Sequence, residues 1–301
     1  MRQWLVRSLT AAFVLATVLM PSAVRGGEIE VEQDIEYRSV DGQSLQLNIA
    51  RPQESKGPRP CLVWIHGGGW AEGGREEFQE SIEESARRGF VAATISYRLT
   101  DATQETPAGK NPFPAQIHDC KAAIRWLRSN AEKYHIDPDH IGVIGASAGG
   151  HLSLLVGLTD AKDGLEGTAA AGAPSSRVQA VVNLFGPTDL VSQYEGSPDV
   201  RFLIEAFCGG TPQSAAKQCK QASPITYLTK DDPPILTFHG TTDELVPVQQ
   251  AKLLAKRCSA SGVPHTLVIF DGQGHGFDEE HNQKMAEQSF KFFSKHLGAP
   301  K

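Results

Sequence analysis

The chain has 301 residues, 40% of them hydrophobic and 21% charged. That balance excludes a disordered or fibrous protein, and the length lies within reach of one α/β domain. A formal charge of −6 argues against nucleic acid as a partner, because phosphate binding wants a basic face.

At the N-terminus Arg2 and Arg7 precede an apolar run from Leu9 to Met20, followed by Pro21, Ser22 and Ala23. A basic start, a short apolar core and small residues read as a secretory signal peptide over residues 1–26. The run of 12 residues is too short to cross a hydrocarbon core of ~30 Å at ~1.5 Å per residue. Cleavage after Gly26 suits the small Val24 and Gly26; cleavage after Ala23 competes with it, and an uncleaved anchor is the other use of such a segment. Losing residues 1–26 removes three arginines and no acid, leaving 26 basic and 35 acidic residues and a charge of −9. The expectation is a secreted or periplasmic protein of one domain, residues 27–301, with no stable membrane association after cleavage.

Residues 31–51 alternate polar and apolar around a turn at Asp41-Gly42, a hairpin signal. Continuous apolar runs follow at 60–66, 90–97, 141–144, 178–185, 234–238 and 266–270. Bounded by glycine or proline, they suit strands buried on both faces of a parallel sheet. Between them Ile117, Cys120, Ile124 and Leu127 recur at helical spacing, predicting an amphipathic helix over 114–134. Residues 148–158 and 247–261 also read as helices, and 289–297 reads as the end of a C-terminal one. Strands alternating with helices predict an α/β fold with a mainly parallel central sheet flanked by helices. Segments 100–114 and 186–226 fit the alternation poorly and are either small lid insertions over a site or plain surface loops.

The five cysteines are Cys61, Cys120, Cys208, Cys219 and Cys258. An exported chain can form disulfides. Cys208 and Cys219 flank a Gly-Gly-Thr-Pro turn and are the best pair, while Cys61 lies in an apolar run and reads as core. No Cys/His cluster suggests a metal.

The strongest chemical signal is Gly145-Ala146-Ser147-Ala148-Gly149, between the strand 141–144 and a helix. A G-x-S-x-G turn in that context holds its serine exposed and strained, and the helix start behind it favours developing negative charge. A serine hydroxyl needs a neighbouring base, usually histidine, oriented by a carboxylate. The chain order that goes with this elbow is Ser, then Asp or Glu, then His. His265, His281 and His296 read as structural or surface residues. His275, in the loop Asp271-Gly-Gln-Gly-His-Gly-Phe after strand 266–270, is the candidate base. Asp243, in the loop after strand 234–238, is the candidate carboxylate and Asp189 the runner-up. Asp271 is too near His275 along one loop.

His66-Gly67-Gly68-Gly69-Trp70 follows the strand 60–65. A tetrahedral oxyanion needs backbone N–H groups aimed at it, and glycines let the chain come close. Gly67, Gly68 and Ala148 are the candidate donors. His66 reads as an organiser of the loop. His151, one helical turn beyond Ser147, either lines the pocket or packs behind the elbow, with packing favoured. Trp70, Tyr97 and Phe277 could be pocket walls or core.

Together His66-Gly-Gly-Gly69, Gly145-x-Ser147-Ala-Gly-Gly-His151 and Asp271-x-x-Gly-His275-Gly-Phe resemble the α/β-hydrolase superfamily. More narrowly they are similar to hormone-sensitive-lipase-like carboxylesterases and the feruloyl-esterase-like group beside them. Tyr97-Arg98-Leu99, Ser223-Pro-Ile-Thr-Tyr227 and Phe238-His-Gly240 carry the same resemblance, which covers about residues 35–297. It implies a Ser147–Asp243–His275 triad, the oxyanion donors above and no cofactor. It also implies a small-molecule or polysaccharide-bound ester as substrate, either short acyl esters or the acetyl and feruloyl esters of plant polysaccharides. The lipid-directed members often have a long N-terminal cap. Here the stretch before the first strand is short, which fits an open site. The alternatives are a serine exopeptidase of the same fold and a binding protein that kept the fold. Amide against ester turnover discriminates the first, and an intact triad argues against the second.

Overall fold

The computed structural model describes residues 27–54, 57–103, 105 and 109–298; the signal-peptide expectation for residues 1–26 lies outside them. Eight strands form one sheet among the described residues: β1 (Ile29–Val40), β2 (Gln43–Pro52), β3 (Arg59–Ile65), β4 (Val91–Ile95), β5 (Ile136–Ala146), β6 (Ala180–Leu184), β7 (Ile235–Gly240) and β8 (His265–Phe270). Their order is β1-β2-β4-β3-β5-β6-β7-β8. The expected hairpin is β1–β2, and β2 meets β4 antiparallel. From β4 to β8 every pairing is parallel.

Every residue of β4, β6 and β7 is buried, as continuous apolar runs between two helical layers require. Alternate side chains enter opposite layers. Cys61, Val63 and Ile65 join one core, with Ile117 and Ile124 of α2 (Ala115–Ser129), Leu152 and Leu155 of α4 (Ala148–Leu158) and Leu254 of α8 (Gln249–Ser261). Leu62 and Trp64 join the other, with Ile82 of α1 (Gln79–Arg87) and Phe293 of α9 (Glu279–Leu297). Burying each such side chain stabilises by ~1.5–3 kcal/mol.

Several boundaries differ from the sequence reading. The helix expected over 114–134 breaks at Asn130, whose side-chain amide donates to the Trp126 carbonyl (2.8 Å); α3 (Ala131–Tyr134) follows as a separate turn. Strand β5 begins at Ile136 rather than 141, because Ile136 pairs with Arg59 before a register shift that absorbs Pro138. The last helix, read from the sequence only at its end over 289–297, starts at Glu279. Asp278 caps it by accepting from the His281 N–H (2.9 Å), and its first half is too polar to show an apolar period. Segment 186–226 contains α5 (Leu190–Gly196), α6 (Arg201–Cys208) and α7 (Ala216–Gln221), a small helical cap on the carboxyl edge of the sheet. The bridge expected between Cys208 and Cys219 is absent: all five cysteines are buried free thiols. Cys208 and Cys219 are hydrogen-bonded neighbours, so the two helices bring the sulfurs together without a covalent link.

Candidate active site

Four loops reach the same carboxyl edge: Gly67–Gly69 after β3, Ser147 after β5, Asp243 after β7 and His275 after β8. In an open parallel sheet that edge is where ligands bind.

Ser147 sits at φ +56, ψ −119, a conformation that costs a non-glycine residue about 1–3 kcal/mol. Its N–H donates to the Leu184 carbonyl (2.9 Å) and its own carbonyl accepts from the His151 N–H (3.0 Å), so the turn is held at both sides. The glycines of the elbow are required by close approach. A Cβ on Gly149 would stand 2.0 Å from the Ile65 carbonyl oxygen, and one on Gly145 2.4 Å from the Gly149 backbone.

Nε2 of His275 lies 2.8 Å from Ser147 Oγ, and Nδ1 lies 2.8 Å from Asp243 Oδ2. The three residues expected from chain order therefore meet in one hydrogen-bonded line. Asp243 is almost completely buried. Its Oδ1 accepts from the N–H groups of Leu245 (3.0 Å) and Val246 (2.8 Å). Burial pushes its carboxyl up, but hydrogen bonds from His239 and His275, the field of His275 and the Val246 N–H outweigh that and hold it at about 2. The carboxylate is thus ionised and fixed in orientation. The ring of Phe185 packs edge-on to His275 at 4.7 Å and to Phe277 at 5.3 Å, walling one side of the imidazole.

Asp189, the runner-up, serves elsewhere. It caps α5, accepting from the N–H groups of Val191 (3.0 Å) and Ser192 (3.4 Å). Asp271 accepts from the Thr241 hydroxyl at the surface. His265 contacts the Thr237 hydroxyl (3.0 Å) and His281 its own capping Asp278, as structural roles require.

The glycine loop is gripped from below. His66 is buried, stacks on Tyr97 with centroids 4.2 Å apart and donates from Nδ1 to the Gly67 carbonyl (3.0 Å). Tyr97 donates its hydroxyl to the carbonyls of His66 (3.1 Å) and Gly67 (2.9 Å). Burial lowers His66 to about 4, its Gly67 hydrogen bond opposing only in part, so it is a neutral organiser. Gly68 adopts φ +89, and a Cβ there would stand 2.2 Å from the Glu72 carbonyl. Trp70 and Tyr97 are core rather than open pocket walls, at 4% and 2% exposure. His151 packs behind the elbow and is also fully buried.

One contributor was not among the candidate site residues. His239, at the end of β7, places Nε2 3.3 Å from Asp243 Oδ2 while donating to the Val246 carbonyl (2.7 Å). Its only mark was its place in Phe238-His-Gly240, four residues before Asp243. Leu203 of α6 is another: it fills the space a Cβ on Gly69 would take, so the cap rests directly on the glycine loop.

An elbow serine joined through an imidazole to a buried carboxylate, on a mainly parallel eight-stranded sheet, defines the α/β-hydrolase class. Residues 47–258 match the BD-FAE family, and the chain belongs to it. It is 34% identical over 225 residues to Esterase LipC of Mycobacterium tuberculosis, which covers 73% of this chain and 54% of that protein. The chain spans about half the length of the curated relatives it matches. Among solved structures, a truncated carbohydrate esterase from gut microbiota superposes with a TM-score of 0.73 at 29% identity, covering 89% of this chain and 96% of that one. The thermophilic esterase Est2 of Thermogutta terrifontis superposes with a TM-score of 0.72 at 28% identity, covering 93% and 95%.

Proposed function

We propose that this protein is an exported serine carboxylic-ester hydrolase. The observation that carries the reading is the unbroken path Asp243–His275–Ser147, 2.8 Å at each step. Ser147 Oγ attacks the ester carbonyl while His275 Nε2 takes its proton. Asp243, bonded to Nδ1, fixes the tautomer and stabilises the imidazolium. The oxygen of the tetrahedral intermediate meets the N–H groups of Gly67, Gly68 and Ala148, and losing one such donor costs ~3 kcal/mol of transition-state stabilisation. His275 then protonates the leaving alcohol. Water, deprotonated by the same imidazole, releases the acid from Ser147 and restores the enzyme.

The substrate class we favour is short acyl esters, free or attached to plant polysaccharide as acetyl or feruloyl groups. A carbohydrate esterase among the structural neighbours and the propionate- and butyrate-bound forms of Est2 support it. The basic and then apolar leader of residues 1–26 supports export. The test is a rate panel on the purified protein: nitrophenyl esters from acetyl to long acyl, acetylated xylan, methyl ferulate and an aminoacyl anilide, each with a Ser147→Ala control. Turnover of short or plant-wall esters that disappears in the control upholds the reading. Turnover of the anilide alone replaces it with a peptidase, and turnover of nothing removes it.

A further inference from the structure

The glycine loop that supplies two oxyanion donors has almost no side chains with which to hold itself. Gly68, Gly69 and Trp70 take φ values of +89, +57 and +61 in succession, and glycine backbone is intrinsically permissive. Tyr97 secures its near end through the Gly67 carbonyl (2.9 Å). Its far end is secured by the Trp70 indole, which stacks on Phe207 with centroids 4.2 Å apart and donates from Nε1 to His151 Nδ1 (3.2 Å).

The other nitrogen of that ring is also engaged. His151 Nε2 stands 2.7 Å from the Ala222 carbonyl, just past the end of α7. An indole N–H can only donate and a carbonyl can only accept. The pair therefore dictates one state of the imidazole: neutral, with its proton on Nε2. A second proton on Nδ1 would face the indole N–H donor to donor. Burial favours the same neutral form, lowering the group to about 4 against a partial pull from the Ala222 carbonyl. Two aromatic contacts close the shell: Trp70 edge-on at 5.0 Å and Phe207 at 5.5 Å.

Three parts of the site thus converge on one ring. His151 belongs to the elbow helix, and its own N–H donates to the Ser147 carbonyl (3.0 Å). Trp70 ends the oxyanion loop. Phe207 and Ala222 belong to the cap. We infer that His151 is a positioning residue for the oxyanion hole: its neutral imidazole sets where Gly67 and Gly68 stand relative to Ser147, and ties that geometry to the cap. The inference rests on the esterase reading above. It assigns His151 no proton transfer and no contact with the reacting atoms.

The test compares His151→Phe, which keeps an aromatic ring and loses both hydrogen bonds, with Trp70→Phe, which keeps the stack and removes only the indole donor. His151→Gln, whose amide can donate and accept at once, serves as the rescue. Each variant is measured for kcat and KM on nitrophenyl acetate and for affinity towards a trifluoromethyl ketone, which forms an oxyanion on Ser147. The rate of labelling by a fluorophosphonate and the melting curve complete the set. A displaced donor weakens the transition state and not the ground state, so kcat should fall ~30–100-fold in His151→Phe and ~10-fold in Trp70→Phe, with KM within ~3-fold. Ketone affinity and labelling rate should fall in parallel. The double variant should be no worse than His151→Phe, and His151→Gln should recover part of the loss. Folded variants with wild-type kcat and ketone affinity, or ones that lose melting temperature alone, overturn the inference. Should His151→Phe fail to fold, Trp70→Phe decides by itself. A wild-type protein that neither turns over esters nor labels at Ser147 fails the esterase reading instead, and the inferred role goes with it.

Discussion

Nδ1 of His275 lies 2.8 Å from Oδ2 of Asp243, 32 residues earlier in the chain. Asp243 has no freedom to rotate away, because the Leu245 and Val246 N–H groups hold its other oxygen. Asp243→Asn preserves the size of the group but presents the imidazole with the wrong partner for the tautomer that Ser147 needs. We expect kcat to drop by ~10³–10⁴ while the fold survives. Steady-state rates on a nitrophenyl ester check this, and a loss smaller than tenfold would contradict the assignment of Asp243.

Asp189 provides the matching control. Its side chain ends α5 in the manner of an N-cap, so Asp189→Ala should cost about 1 kcal/mol of stability, with kcat within about twofold of wild type. Thermal melts and rates on the same preparation separate the two effects. A large fall in kcat with an unchanged melt would return Asp189 to the catalytic machinery.

The proposed reaction groups could be placed together from the sequence because each sits where a strand ends in a turn. Ser147, Asp243 and His275 follow apolar runs, and strand order then places them together. What joins them was not readable. His239 and Tyr97 act through hydrogen bonds to backbone carbonyls or a carboxylate, and a single histidine or tyrosine near a strand end has no periodicity that reveals such a contact. The cap hid for another reason: α5, α6 and α7 have 7, 8 and 6 residues, too few turns for an apolar period to emerge. The Cys208–Cys219 expectation identified the right neighbours and the wrong bond, since sequence spacing carries proximity but not oxidation state.

The elbow makes a prediction about stability that is independent of chemistry. Gly149→Ala would drive a Cβ to within 2.0 Å of the Ile65 carbonyl oxygen, in backbone that β3 and β5 fix on both sides. It should cost at least ~3 kcal/mol or abolish soluble expression. Gly196, the last residue of α5, is the contrast. A Cβ there would meet the Pro247 ring at 3.6 Å, an ordinary van der Waals contact, and its φ is not left-handed. Gly196→Ala should therefore lie within ~0.5 kcal/mol of wild type, or slightly above it through a stiffer unfolded chain. Denaturant titration of both variants checks the contrast, and a benign Gly149→Ala would mean that the helix–strand contact is looser than the structure has it.

Acid should unfold this protein sooner than its carboxylates alone would require. His66, His151 and His265 are each lowered to about 4, chiefly by burial. In the unfolded chain they titrate near ~6.5. Above that value neither state binds a proton and pH has no leverage through them. Between ~6.5 and 4 the unfolded state takes up protons that the folded state refuses, so stability falls as pH falls, by up to about 3 kcal/mol for each group. His265 is partly exposed and should contribute least. Asp243, held at about 2, has the opposite history: its stabilisation is complete above ~4 and is lost only as pH falls below that. Two fully buried imidazoles already account for a large share of the ~5–15 kcal/mol that holds a domain together. The melting temperature should therefore be level from pH 8 to 7, drop steeply from pH 6.5 to 4, and depend least on pH in a variant with His66 or His151 replaced by a neutral side chain that still folds. A melt that stays level down to pH 4.5 would mean that these imidazoles accept protons inside the fold, and their hydrogen-bond partners would have to be reassigned.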